Sequence, residues 1–220
     1  ENQPVGKPLI VTFYSYKGGV GRTTALAVCA AKLARAGKKV VVIDFDLEAP
    51  GLATFLTPSQ VPVKGVVDYL IEKRVLKEIK GFRDFFLEAH SEFSGRGQLY
   101  LMPAGKVGVQ YLEDIASIDL DLYARSEGNP VIELLREIQA NFQPDIILLD
   151  SRTGLADIGG TLLFRLADWV VFFFYNNSQN LEGLQVIFET LFSKRTAADA
   201  IPKALFVNSI IPYHSEGDAA

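Results

Sequence analysis

The residues best equipped for chemistry stand together near the start of the chain: Ser15-Tyr16-Lys17-Gly18-Gly19-Val20-Gly21-Arg22-Thr23-Thr24. Glycines let a backbone curl until successive N–H groups point inward, and such a ring of donors binds phosphate. The apolar run before it, Leu9–Tyr14, predicts a strand, and Thr23–Arg35 after it predicts a helix. Strand, glycine-rich turn and helix together form the setting a phosphate loop needs, because the helix N-terminus adds partial positive charge. Arg22 brings a full charge, and the Thr23 hydroxyl directly after it can hold Mg2+. The ordinary P-loop pattern is nevertheless missed twice. Tyr16 stands where its first glycine belongs, and Arg22 where its lysine belongs.

Other polar residues close apolar runs farther along. Asp44 and Asp46 follow Val40–Ile43, Asp150 follows Ile146–Leu149, and Asn208 follows Ala204–Val207. Carboxylates at strand ends on the carboxyl edge of a parallel sheet face the ligand crevice. A turn cap is the plainer role for Asp150, and the crevice role is preferred. Asp44 is read equally as an outer partner of Mg2+ or as a turn-former, and Asp46 is the better candidate for chemistry. The Asn208 amide offers both a donor and an acceptor to a base edge, though strand-terminal asparagines also make Asx turns. Arg152 and Asp157 flank Gly154, where a switch loop would lie, or they pair with one another.

Five apolar runs (Leu9–Tyr14, Val40–Ile43, Ile146–Leu149, Trp169–Tyr175 and Ala204–Val207) are continuous rather than alternating. Continuous apolarity marks strands covered on both faces by helices. Leu99–Met102 adds a shorter strand. Helices are expected over Thr23–Arg35, which ends at Gly37, over Pro130–Asn141, and over Leu181–Ser193. Val66–Lys77 and Phe82–His90 are also expected to be helical, in the least regular stretch. The order predicts an α/β, three-layer α/β/α domain with a doubly wound, mainly parallel sheet. The basic residues Lys73, Arg74, Lys77, Lys80 and Arg83 read as a solvated face, with a partner-docking surface as the sharper alternative.

Composition narrows the function classes. The 220 residues are 49% hydrophobic and 22% charged, which suits one domain, residues 1–220, with a flexible tail over 1–8. The net charge of −4 gives no global field for nucleic acid. Cys29 is the single cysteine, which excludes disulfides and thiolate clusters within one chain, and it is expected to face the core. His90 and His214 alone could supply imidazole, so a histidine-rich metal site is not expected. No apolar run nears the roughly 18 residues of a membrane span. A cytoplasmic protein without strong signs of membrane or nucleic-acid binding is expected.

Lys17 makes the loop resemble the deviant Walker A pattern of the MinD/ParA family of P-loop ATPases, with arginine in place of the loop lysine. Val42-Ile43-Asp44-Phe45-Asp46, Leu99-Tyr100-Leu101-Met102-Pro103-Ala104-Gly105, Ile146-Ile147-Leu148-Leu149-Asp150 and Phe206-Val207-Asn208 resemble that family's later segments, in order. The resemblance implies ATP and Mg2+ as ligands and hydrolysis coupled to an ATP-dependent homodimer that acts on an unknown cargo or effector, and the wide fork of Arg22 in place of lysine predicts that this hydrolysis is slow. It implies that Gly18, Gly19, Val20, Gly21, Arg22, Thr23 and Thr24 hold phosphates. Thr23, Asp150 and Asp44 would serve the metal, Asp46 would orient water, and Asn208 would read adenine. Lys17 would act across the dimer interface. An ATP-sensing module with little hydrolysis is the main alternative. A cluster-bearing reductase lacks its paired cysteines, and a tyrosine kinase lacks its tyrosine-rich tail. The chain is expected to be the ATPase part of a longer protein.

Overall fold

The computed structural model describes residues 6–76, 78–118, 128–151, 153, 163–193 and 201–209. Seven strands form one sheet: β1 (Leu9–Ser15), β2 (Lys39–Asp44), β3 (Leu87–Glu88), β4 (Gln98–Met102), β5 (Ile146–Asp150), β6 (Trp169–Phe174) and β7 (Lys203–Asn208). Their order is β3-β4-β2-β5-β1-β6-β7. All neighbouring pairs are parallel except β3 with β4.

Helices cover the sheet: α1 (Arg22–Arg35), α2 (Leu52–Leu56), α3 (Val66–Val75), α4 (Ser91–Ser94), α5 (Val109–Ser117), α6 (Pro130–Phe142) and α7 (Ser178–Ser193). Two clusters of buried apolar residues lie in the core, and β2 feeds both. Val41 and Ile43 join one, while Val40 and Val42 join the other. Side chains alternate along a strand, so an unbroken apolar run is what a strand between two helical layers requires. Each fully buried Val, Leu or Ile in such a run stabilises by roughly 1.5–3 kcal/mol.

Connections set where a ligand fits. From β1 the chain crosses past β5 to β2, and from β5 it later crosses past β1 to β6. The connections leave β1 and β5 in opposite directions, which opens a crevice beyond their carboxyl ends. On one side of it, α3 docks on the end of β4. Its first N–H groups, Val66 and Val67, donate to the carbonyls of Pro103 and Ala104 at 2.9 Å each. Gly65 permits this approach, since a Cβ there would sit 2.1 Å from the Pro103 oxygen.

The structure departs from the sequence expectations in several places. Phe82–His90 is not a helix: Phe82–Phe85 is a short 3-10 turn, and Leu87–Glu88 pairs antiparallel with β4. Phe82, Phe85 and Phe86 follow helical i, i+3, i+4 spacing, yet they cluster with Tyr69 and Phe142. Cys29 is exposed, because Leu26, Ala27, Ala30 and Ala34 already form the buried stripe of α1. Within the expected solvated face Arg74, Lys80 and Arg83 are exposed and Lys73 is half-buried, and three of these residues also have partners in the chain. Lys73 pairs with Glu137 at 2.6 Å, Arg74 donates to the Ser117 carbonyl, and Arg83 donates to the Asn141 carbonyl while lying over the Phe142 ring. The expected tail is held at its end: Pro8 is buried, and Lys7 reaches Asp168. Lys77, Arg152, Gly154, Asp157 and His214 lie outside the described residues.

Candidate functional site

The phosphate-loop candidate leaves β1 at Ser15 and enters α1 at Arg22. Gly19 (φ 77°) and Gly21 (φ 78°) adopt left-handed backbone, which side-chain-bearing residues rarely tolerate. Val20 between them is buried among Phe13, Leu26 and Val42 and fastens the loop to the core. The first turn of α1 carries no acidic residue of its own, so its positive end draws negative charge from elsewhere. Residues 18–24, with Ser15, Asp46, Ala49 and Thr153, line a cavity of about 280 Å³. A curled glycine backbone, an open helix N-terminus and a cavity between them form an anion site.

Strand order gathers the carboxylates beside it. β5 lies between β2 and β1, and Asp150 is in register with Asp44 on one side and Phe13 on the other. Arg22 fills the space they leave. Its Nε donates to Asp150 Oδ1 at 2.6 Å and its Nη2 to Asp46 Oδ2 at 2.7 Å, with Nη1 3.3 Å from the Ser15 hydroxyl. The side chain is 5% exposed, Asp46 14% and Asp150 fully buried. These are therefore desolvated, charge-assisted bonds, and removing either partner would leave a buried charge uncompensated. The planar, forked guanidinium engages both carboxylates at once through two different nitrogens. The Asp150 carboxyl is raised from the ordinary carboxylate range by burial, against the opposing pull of Arg22 and the Thr23 hydrogen bond.

Thr23 donates its hydroxyl to Asp150 Oδ2 at 2.7 Å. A hydroxyl and a carboxylate oxygen so placed are hard oxygen donors of the kind Mg2+ takes, so the residues fit that ion. No group of three or more His, Cys, Asp or Glu side chains able to hold a metal occurs among the described residues. An ion here would therefore draw its remaining ligands from phosphates and water, as Mg2+ commonly does.

Asp44 is placed differently from a metal ligand. Its Oδ1 accepts the N–H of Asp46 at 3.1 Å, and its Oδ2 accepts those of Gly51 and Leu52 at 3.2 Å each. Both oxygens thus shape the 45–52 loop, and of its two sequence readings the geometry matches the turn-former. Burial, then the nearby Asp150 charge, pushes its carboxyl up to about 7.

Two expected residues stand apart from this cluster. Lys17 is exposed, and its ammonium donates to the side-chain amide oxygen Oε1 of Gln179 in the first turn of α7. Asn208 is exposed at the end of β7, in register with Phe174, and does not line the cavity. It sits two strand spacings from β1, roughly 10 Å along the carboxyl edge. Thr24 is exposed in the cavity wall.

The structure also brings in residues that the sequence reading passed over. Ser15 joins the Arg22 cluster. Tyr16 lies against α7 at Gly183, where a Cβ would come within 2.4 Å of the ring. Tyr111 on α5 donates its hydroxyl to the Leu47 carbonyl at 2.7 Å. The oddity of an aromatic at the usual glycine position was the one available signal for Tyr16. A tyrosine in an amphipathic helix gives none for Tyr111.

Known proteins share both the sequence pattern and the fold. The AAA_31 family model, described as an AAA domain, matches residues 9–200. The uncharacterized ATP-binding protein MJ0169 of Methanocaldococcus jannaschii is 27% identical over 152 residues, 67% of this chain and 46% of that protein. The septum site-determining protein MinD of Helicobacter pylori is 44% identical over 62 residues, 28% of this chain and 23% of its own. The chain thus spans less than half the length of these curated relatives. Among solved structures, MinD complexed with Mg-ADP from Pyrococcus horikoshii has a TM-score of 0.63 at 18% identity, covering 91% of this chain and 70% of that one. The pNOB8 ParA bound to nonspecific DNA gives 0.63 at 18% identity, covering 94% and 69%. The kinase domain of the Escherichia coli tyrosine kinase ETK gives 0.62 at 18% identity, covering 96% and 72%. These structures share the fold, and a kinase among them shows that the fold alone does not choose the reaction. Loop, strand ends and domain match agree: the chain belongs to the MinD/ParA family of P-loop ATPases, within the AAA_31 domain family.

Proposed function

We propose that this chain is a nucleotide switch that binds Mg-ATP in the 17–24 loop and hydrolyses it slowly. The observation that carries the reading is the convergence of Arg22, Thr23, Asp46 and Asp150 within hydrogen-bond reach, beside the loop cavity. The N–H groups of residues 18–23 cradle the phosphates, and Thr24 touches the α-phosphate. Thr23 and Asp150 hold Mg2+, which when bound supplies charge to the phosphate oxygens being separated. Asp46 stands at the cavity wall, where it orients the attacking water. Such positioning and charge placement account for most of the catalysis in phosphoryl transfer.

Arg22 has two tasks. Held by Asp46 and Asp150, it neutralises buried carboxylates; turned toward the cavity, it neutralises β- and γ-phosphate oxygens. Asp46 is free to handle water only after Arg22 has let go. Turnover is therefore slow while binding is tight. The same double ion pair favours a second reading, an ATP sensor in which this exchange is rarely completed and hydrolysis is negligible.

Lys17 acts on the nucleotide of a second copy, so hydrolysis and ATP-dependent homodimerisation are coupled, and Asn208 reads the adenine edge. A melting experiment tests the ligand assignment, because binding to the folded state raises stability by mass action. ATP raises the Tm more than GTP at equal concentration, and Mg2+ enlarges the difference. Equal shifts with both nucleotides rule out the adenine assignment, and no shift with either rules out the site.

A further inference from the structure

We propose that Tyr111 is a positioning residue for hydrolysis, holding the Asp46 carboxylate at the cavity by anchoring the backbone beside it. The inference rests on the reading of Asp46 as the water-orienting group. Tyr111 lies 64 residues from Leu47 in sequence, on a helix that plays no part in the phosphate loop. Its ring is 5% exposed, and its hydroxyl donates to the Leu47 carbonyl at 2.7 Å. Burial, with the charges of Asp44, Asp46 and Asp68 next, raises the phenol well above its usual range, so it stays a protonated donor wherever the protein is folded.

Asp46 is bracketed. On one side its own N–H is held by Asp44 Oδ1, and on the other the next residue's C=O is held by Tyr111. The carboxylate itself is tied to Arg22 at 2.7 Å. Once Arg22 turns to phosphate, that third tie is lost, and where Asp46 points is fixed by these two bonds together with the Phe45 N–H donated to the Asp150 carbonyl at 2.9 Å, of which Tyr111 supplies the one bond on the far side of Asp46. Misplacement of a catalytic group by about 1 Å can cost on the order of 10²-fold in rate. An anchor that does nothing for phosphate contacts can thus control turnover.

The placement of Tyr111 follows from its surroundings. At Gly105 (φ 150°) a Cβ would sit 2.9 Å from the Tyr111 ring and 3.2 Å from Asp68. Asp68 caps α3 by accepting the Gly65 N–H at 2.8 Å. The turn after β4, the start of α3 and Tyr111 therefore form one packed unit, rigid enough to transmit position to the 46–47 backbone.

The test is Tyr111→Phe, which keeps the ring and removes the donor, made in the unsubstituted chain and in an Asp46→Asn background. We expect ATP affinity to stay within about twofold, turnover to fall about tenfold, and Tyr111→Phe to have no further effect in Asp46→Asn. Amide exchange at residues 46–49 should quicken about tenfold with or without nucleotide. An equal loss of turnover in both backgrounds, or parallel loss of affinity and turnover, overturns the proposal. Unchanged exchange at 46–49 overturns it as well. Absence of turnover in the unsubstituted chain removes the hydrolysis reading itself, whereas the exchange rates report on the anchor alone.

Discussion

Arg22 concentrates the physics of the site in one side chain, since it joins two carboxylates in a space that water scarcely reaches. Removing one partner of a buried ionic group leaves the others uncompensated, at roughly 3–5 kcal/mol. Arg22→Ala should therefore lower the unfolding free energy of the nucleotide-free protein by about that amount in urea titration, as well as weakening ATP binding. Arg22→Lys keeps the charge but gives up the rigid fork that joins Asp46 and Asp150. It should bind ATP as tightly and turn it over at an equal or higher rate. A sharp drop in turnover would mean that the loop is built around the guanidinium. Asp44 gives a prediction of opposite character. Its folded pKa of about 7 lies above the free value of 3.8, so the folded state holds the proton more tightly. Its contribution to stability is present below about pH 4 and is lost as pH rises through about 7. The Tm of the nucleotide-free protein should fall from about pH 5 to about pH 8 more steeply than that of Asp44→Asn. Parallel slopes would remove Asp44 as the cause.

Elements explain which parts of this site the sequence discloses. The loop and the carboxylates of β2 and β5 were legible because each polar residue interrupts an otherwise unbroken apolar run, and backbone topology then brings them together. The Arg22 pairing was not legible, because a side chain's choice between phosphate and carboxylate leaves no periodic trace. β3 escaped notice at two residues, and the Phe82, Phe85 and Phe86 spacing imitated a helix although Gly81 (φ 69°) starts a 3-10 turn instead. The seat of Tyr16 on α7 is a further case, with a direct consequence. By helix propensity alone, Gly183→Ala should stabilise α7 by about 1 kcal/mol. The added Cβ would meet the Tyr16 ring at 2.4 Å, and overpacking of this kind costs about 1–3 kcal/mol. The steric effect should win, with a lower Tm for Gly183→Ala, restored when Tyr16→Ala is combined with it. A raised Tm in the single variant would show that the ring does not hold the loop there.

At the scale of the whole molecule, the sheet places phosphate loop, metal-type oxygens and the candidate base-reading Asn208 along one carboxyl edge. Lys17 meets Gln179 within its own chain, whereas its proposed work is on a neighbouring copy. Nucleotide-driven pairing should therefore exchange this contact for a phosphate. Light scattering with Mg-ATP should show dimers of the unsubstituted protein and fewer dimers of Lys17→Ala, with hydrolysis reduced in the same variant. Loss of hydrolysis without loss of dimers would confine Lys17 to its own site. Whether Asp46 takes up water once Arg22 has moved to bound Mg-ATP is read from phosphate release. Release is measured for the unsubstituted protein and for Asp46→Asn at saturating Mg-ATP, with nucleotide occupancy measured in the same samples. Slow, steady release is expected from the former, and full occupancy with release lowered on the order of 10²-fold from the latter. Full occupancy with equal release from both proteins would contradict that role of Asp46.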